Sequence, residues 1–213
     1  MEQIPQGRVN DFVIKFANVN GSGSASANGL LLKAIFRMGV PVSAKNFFPS
    51  NIQGLPTWFE IRVSRDAYLA RSGAVDVMVA MNPATYAQDL AEISPNGTLI
   101  YDDSWPRDEL QSRDDISVLG VPLAKMCNQA FDQARTRILM KNVAYLGTLV
   151  ALLDIDRDVV RTLLEEIFAA KPKLIDANLK AIDLGYDYAM ENFACPLPTR
   201  VAKMDKTAGH VII

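Results

Sequence analysis

Three observations in the amino-acid sequence predict an α/β fold, a three-layer α/β/α domain with a mixed sheet and a helical C-terminal part. The N-terminal 121 residues hold five or six short apolar or alternating runs that read as strands, and one clear helical stretch lies among them. Beyond residue 122 the apolar period becomes helical and stays helical. The length of 213 residues, against roughly 150 per domain, fits one domain with room for a smaller appendage. Strands with crossovers first and helices last is the order expected when helices cover both faces of a sheet and the final ones extend that cover.

The chain opens with Phe12 to Ala17, an apolar run bounded by polar residues, read as a buried or half-buried strand. Asn18 to Ser26 is a loop of small residues. Ala27, Leu31, Ala34, Ile35 and Met38 then repeat at helical spacing, and Gly39-Val40-Pro41 supplies the stop. Val42 to Phe48 reads as a second strand, Pro49 to Pro56 as a loop, and Thr57 to Ser64 as a third strand. In that third strand Phe59, Ile61 and Val63 share one face, while Trp58, Glu60 and Arg62 share the other, expected to be the wetter one. Val75 to Met81 is a fourth strand. Asn82-Pro83 then enters a short helix ending near Leu90, and Thr98 to Tyr101 is a fifth strand after a Pro95-Asn96-Gly97 turn. Ile116 to Val121 reads as a sixth.

Phe131, Ala134, Ile138, Val143, Leu146, Leu149, Val150 and Leu153 mark a long helix or a broken pair. Asp156 can cap a second, with Val159, Val160, Leu163, Leu164 and Ile167 on one face. Pro172 suits the first turn of a third, striped by Ile175, Leu179, Ile182, Tyr186 and Ala189. Residues 194 to 209 lose periodicity and contain two prolines, as linkers do. The expected division is therefore a domain over 1–193 followed by 194–213, a linker ending in His210-Val211-Ile212-Ile213. That apolar, β-branched ending reads as the start of a strand of a further domain, or else as an edge strand of this one.

Composition narrows the function. With 22 Lys+Arg against 24 Asp+Glu the formal net charge is −2, so nucleic acid is not an expected partner. Cys127 and Cys195 are far apart, and the single histidine, His210, lies near the C-terminus. No zinc site, iron–sulfur cluster or Ser-His-Asp arrangement is expected from such a set. No window approaches the roughly 20 apolar residues of a membrane span, and the N-terminus lacks a signal peptide's apolar centre. A cytoplasmic location is the expectation.

Two loops are the candidate binding elements. A loop between a strand and a helix N-terminus presents free backbone N–H groups and the positive end of the helix dipole to an anion, and the small residues of 18–26 allow close approach. Gly21-Ser22-Gly23 starts a dinucleotide fingerprint, but the next glycine comes only at Gly29 and no acidic residue ends the second strand. A plain connecting turn is the competing reading. The second loop, Ser50 to Thr57, offers Asn51, Gln53 and Thr57 as neutral hydrogen-bond groups, or is a surface turn. The pairs Asp102-Asp103 and Asp114-Asp115 read as solvated caps, and Arg135, Arg137 and Lys141 as the wet face of a helix.

The succession Val13-Ile14, Gly21-Ser22-Gly23, Asn28-Gly29-Leu30-Leu31, Phe48-Pro49-Ser50-Asn51-Ile52-Gln53-Gly54-Leu55-Pro56-Thr57-Trp58-Phe59-Glu60-Ile61-Arg62-Val63-Ser64, Val75-Asp76-Val77-Met78-Val79-Ala80-Met81-Asn82 and Gly97-Thr98-Leu99-Ile100-Tyr101-Asp102 resembles the gamma domain of 2-oxoacid:ferredoxin oxidoreductases. The resemblance covers residues 11 to about 193 and is greatest to the 2-oxoglutarate type. In that family the gamma domain is often fused ahead of the thiamine-binding part of an alpha subunit, which would make residues 210–213 the first strand of that part.

The resemblance implies a complete enzyme that decarboxylates a 2-oxoacid on thiamine diphosphate with magnesium, passes electrons through a [4Fe-4S] cluster to ferredoxin, and forms an acyl-coenzyme A. This segment would hold neither thiamine nor cluster and no catalytic group. Its implied part is to help bind and cover coenzyme A, through Gly23, Ser24, Ser26 and Asn28 of the first loop and Ser50, Asn51, Gln53 and Thr57 of the second. Its implied partners are the remainder of the alpha subunit, the beta subunit and ferredoxin. Many relatives have Gly-Gly-Gln-Gly where this chain has Ser-Ala-Ser, and some carry lysines or an arginine at the positions of Asn51 and Ile52. Here backbone donors would do most of the contact. A non-catalytic subunit-interaction module is the alternative.

Overall fold

The computed structural model describes residues 7–48, 55–70 and 73–212. Its strands are β1 (Asp11–Val19), β2 (Val42–Phe47), β3 (Pro56–Ser64), β4 (Val75–Ala80), β5 (Ile93–Asp102) and β6 (Ser117–Val121). Its helices are α1 (Ser24–Arg37), α2 (Tyr86–Glu92), α3 (Leu123–Ala130), α4 (Ala134–Leu152), α5 (Arg157–Ile167) and α6 (Pro172–Asn192). The strands form one sheet in the order β2-β3-β1-β4-β5-β6, in which β1, β4, β5 and β6 run parallel and β3 is antiparallel to both β1 and β2. This is the mixed, three-layer α/β sheet that the sequence predicts.

The period-two alternation of β1 splits the core. Phe12, Ile14 and Phe16 face a large cluster with Leu31 and Ile35 of α1, Tyr145 of α4, Leu163 of α5 and Ala181 of α6. Val13 and Ala17 face a smaller cluster with Met78, Leu99, and Tyr86 and Leu90 of α2. So α1 crosses one face of the sheet and α2 the other. Between β1 and β4 the chain therefore switches sides, the place where open α/β sheets form a crevice beyond the carboxyl ends of their strands.

Local signals set most boundaries. Gly39, with φ 82°, ends α1; the spot its Cβ would take lies 1.9 Å from the Met204 carbonyl oxygen, so both conformation and space require glycine. Asp156 caps α5 by accepting from the Asp158 and Val159 amides at 2.9 and 3.4 Å. Pro172 opens α6, and the stretch marked from Phe131 to Leu153 forms one unbroken helix, α4, with a separate short helix, α3, before it.

Four readings are corrected. Helix α1 begins at Ser24, inside the expected loop of 18–26, because Gly21 and Gly23 take left-handed conformations (φ 84° and 83°) and complete the turn early. Strand β5 starts at Ile93 and runs through Pro95-Asn96-Gly97, the irregularity being absorbed by a register shift opposite Val75 and Val77. The expected wet face of β3 is wet only in part: Glu60 is buried, and its neighbour across the ladder, Lys15, is buried and ion-paired with Glu92 of α2. Asp102 is likewise buried, accepting from the Ala124 amide at 3.2 Å and lying 3.4 Å from Lys141 Nζ, so neither Asp102 nor Lys141 is a plain solvated group.

Residues 194–207 run back along the domain without helix or strand, apart from one bridge between Val9 and Arg200. Val201 is fully buried, and its amide donates to Leu153 O at 2.9 Å, while Met204 N donates to Met38 O at 2.8 Å. Val211 and Ile212 belong to no strand.

Candidate functional site

At the carboxyl end of β1 the chain turns through Asn20 to Gly23 into α1, and a cavity of about 360 Å³ opens there. It brings together four of the candidate residues, Gly23, Ser24, Asn28 and Thr57, with Asn18 and the aromatic Trp58 and Phe59. Thr57 arrives by register, since it sits directly opposite Asn18 on the β1–β3 ladder. Ser26 points elsewhere, into an apolar groove of about 530 Å³ between α1, α4, α5 and α6. Ser50, Asn51 and Gln53 lie outside the described residues.

Helix α1 begins without a side-chain cap and has no acidic residue in its first turn. Its first amides are thus left as donors at the positive end of a 14-residue helix. Gly23 cannot be replaced easily, for its φ of 83° is left-handed and a Cβ would stand 2.5 Å from the Leu139 side chain. The loop is held from two sides. Asn20 N donates to Leu55 O at 3.1 Å, and Asn142 of α4 donates from Nδ2 to Ser22 O at 2.8 Å.

Behind the cavity lies a buried polar layer that local sequence reading did not find. Tyr145 of α4 donates to Asn28 Oδ1 at 2.6 Å. Burial pushes the Tyr145 phenol far above its ordinary range, with Asn18 beside it acting weakly in the other direction, so the hydroxyl stays a donor. Asn18 itself is 3% exposed, and its side chain meets the Tyr145 hydroxyl, whose oxygen can accept while its proton is given to Asn28. A polar residue near the end of an apolar strand was the available signal for Asn18. Tyr145 and Asn142 had none, since they arrive from more than a hundred residues away.

The described residues lining the cavity include no Lys, Arg, Asp or Glu. It is a site of neutral donors, a helix dipole and an aromatic wall, suited to an acceptor-bearing ligand group. Trp58 of that wall is fixed by donating from Nε1 to Asp89 at 2.9 Å. Among the described residues no group of three or more His, Cys, Asp or Glu side chains could hold a metal ion, and no helix is long and apolar enough to cross a membrane.

This sheet, with its crevice at the side switch between β1 and β4, defines an open-sheet α/β domain. Residues 13–188 match the family described as pyruvate ferredoxin/flavodoxin oxidoreductase, and the chain belongs to that family. Among curated relatives it is 22% identical to 2-oxoacid:ferredoxin oxidoreductase 2, subunit alpha, of Aeropyrum pernix, over 87% of this chain and 35% of that one. It is 28% identical to the ketoisovalerate oxidoreductase subunit VorA of Methanothermobacter marburgensis, over 55% of this chain and 23% of that one. The chain thus spans about a third or less of the curated relatives it matches.

Two solved structures share the fold. The 2-oxoglutarate:ferredoxin oxidoreductase of Magnetococcus marinus, solved with 2-oxoglutarate, coenzyme A and succinyl-CoA bound, superimposes with a TM-score of 0.81 at 24% identity, over 92% of this chain and 34% of that one. The pyruvate oxidoreductase subunit PORC of Thermotoga maritima gives a TM-score of 0.68 at 20% identity, over 84% of this chain and 96% of that one.

Proposed function

We propose that this chain acts as the gamma domain of a 2-oxoacid:ferredoxin oxidoreductase, of the 2-oxoglutarate type, and that it helps bind and cover coenzyme A during oxidative decarboxylation to an acyl-coenzyme A or the reverse. The observation that carries this reading is the donor-lined cavity at the start of α1, where a coenzyme carrying phosphates finds amides, hydroxyls and a helix dipole. Membership of the family and a fold shared with an oxidoreductase that holds coenzyme A support it. In this reading 1–193 is the coenzyme-associated unit and 194–213 leads toward a thiamine-binding part. Ser50, Asn51 and Gln53 would complete the cover.

Within that assembly the domain contributes binding and orientation. Thiamine diphosphate, magnesium and a [4Fe-4S] cluster would supply decarboxylation and electron transfer, and no convergent ligand set for a metal or cluster exists among the described residues. Partners would be the rest of an alpha subunit, a beta subunit and, through the complex, ferredoxin, in the cytoplasm. The groove between α1, α4, α5 and α6, bordered by the exposed Leu139, Ile167 and Leu174, is where such packing would add apolar contact. It also favours the second reading, a subunit-interaction module without its own ligand.

The two readings part on one variant. Ser24→Asp with Ser26→Asp places carboxylates in the first turn, where they suit the dipole and preserve the helix but repel an anion. Calorimetry should show coenzyme A affinity falling at least about tenfold, the loss of one hydrogen bond to a charged group. Unchanged affinity would leave the interaction module as the better account.

A further inference from the structure

We infer that residues 197–207 are a rigid brace and not a linker: they bind the C-terminal ends of α1 and α4, the two helices that build the candidate cavity, and leave the chain no free joint before Thr207. The inference goes beyond the coenzyme reading and does not depend on it.

The last four carbonyls of a helix have no partner within the helix, and a buried carbonyl left unpaired is costly. The segment supplies the missing donors. At the end of α4, Leu197 N donates to Leu152 O at 2.8 Å and Val201 N to Leu153 O at 2.9 Å. At the end of α1, Met204 N donates to Met38 O at 2.8 Å, Lys206 N to Gly39 O at 3.0 Å, and the Thr207 hydroxyl to Phe36 O at 2.7 Å. Between these anchors Val201 is fully buried in the larger core cluster.

The rest of the domain is shaped to receive it. A Cβ at Gly7 would lie 2.2 Å from Pro198 O and one at Gly39 1.9 Å from Met204 O, so backbone of the segment fills the space a side chain would take at each. Asn10 grips it as a neighbouring strand would, donating from Nδ2 to Ala202 O at 2.7 Å and accepting on Oδ1 from Ala202 N at 2.8 Å, next to the Val9–Arg200 bridge.

The other parts of the same two helices make the cavity: Gly23 and Ser24 start α1, and Asn142 and Tyr145 of α4 bond Ser22 and Asn28. The brace therefore fixes the far ends of the helices whose near ends shape the cavity, and it fixes the direction in which the chain leaves them. The packed unit ends at Thr207, beyond residue 193. In the proposed assembly a thiamine-binding part joined after it would turn with this domain.

The test is limited trypsin digestion of the full 213-residue chain, with a synthetic peptide of residues 194–209 as the flexible reference. Arg200, Lys203 and Lys206 are cleavage sites in both. Cutting after them in the folded chain should be at least about tenfold slower than in the peptide, because it tracks the opened population. Hydrogen exchange should show the Leu197, Val201, Met204 and Lys206 amides protected. Asn10→Gly keeps the left-handed backbone at that position (φ 56°) and removes both bonds to Ala202, so cutting after Arg200 and Lys203 should speed up at least about tenfold, the worth of two ordinary hydrogen bonds.

Wild-type cutting within tenfold of the peptide, exchange of those amides at the free-peptide rate, or unchanged cutting in a folded Asn10→Gly chain would each overturn the brace. The two wild-type measurements decide if the variant fails to fold. A chain that shows the protection but binds no coenzyme A upholds the brace and defeats the coenzyme reading; one that binds coenzyme A with a freely cut segment does the reverse.

Discussion

Tyr145 and Asn28 meet in a 2.6 Å hydrogen bond that joins α4 to α1 across 117 residues, with both side chains buried. The bond holds the floor of the cavity to the helix whose first turn forms its mouth. It also satisfies an amide oxygen that has no access to water.

Removing the hydroxyl should therefore cost more than the bond's net worth. Tyr145→Phe leaves Asn28 Oδ1 buried and unpaired, and urea unfolding should show a loss of about 1–3 kcal/mol. A change under 0.5 kcal/mol would mean that water or a rotated Asn28 replaces the bond.

Glycine-to-alanine substitutions should differ in sign along the helices. A Cβ at Gly147 would lie 2.1 Å from Ile182 O, and one at Gly185 would lie 1.8 Å from Ala144 O. These two positions let α4 and α6 touch backbone to backbone. Gly147→Ala or Gly185→Ala should force the helices apart and cost about 3 kcal/mol or more. Gly29, inside α1 with nothing within 4 Å of its would-be Cβ, should respond to alanine with a gain of about 0.5–1 kcal/mol from helix propensity. Thermal unfolding of the three variants checks both signs.

Asp89 gives the chain a pH dependence. It is fully buried, accepting from Trp58 Nε1 at 2.9 Å and from the Thr85 hydroxyl at 2.7 Å. Burial pushes its carboxyl above the ordinary value, more than those two bonds pull it down. The unfolded chain releases this proton at lower pH than the folded one. Its stabilising contribution is thus full below the ordinary carboxylate range and is lost as pH rises through the raised folded value. Asn can accept from Trp58 and donate to Thr85 without the charge. Asp89→Asn should raise the urea midpoint at pH 7, and the difference should shrink or reverse near pH 3; a gain that does not vary with pH would contradict the account.

The thiols should be slow to react. Burial, with the Asp102 carboxylate nearby, pushes Cys127 up to about 11, and burial also raises the half-buried Cys195. At pH 8 little thiolate is present at either. Iodoacetamide with mass readout should label Cys195 first and Cys127 only when denaturant is added.

Signals carried by a few consecutive residues were legible in the sequence: six strands, the Asp156 cap, Pro172 at the start of α6 and the stop at Gly39. Periodicity and capping act over one or two turns, so they are written locally. Half of the candidate site was legible for the same reason, since a strand, a small-residue turn and a helix start are neighbours in the chain. The early start of α1 was missed because two left-handed glycines compress the turn.

What tertiary structure decided was the environment of polar groups. Glu60 and Asp102 lie in polar contexts by sequence and are buried in the fold, because α2 lies over the β1–β4 face and α3 opens against the end of β5. Asn18 could be named from its strand, but its environment could not, because that depends on the Tyr145 hydroxyl brought in by α4. The sequence by itself determined which elements form and in what order, since these follow from short-range backbone and side-chain preferences. Strand order, the side switch between β1 and β4, and the donors left facing the cavity are set by contacts across tens to more than a hundred residues, which only packing the whole chain brings together.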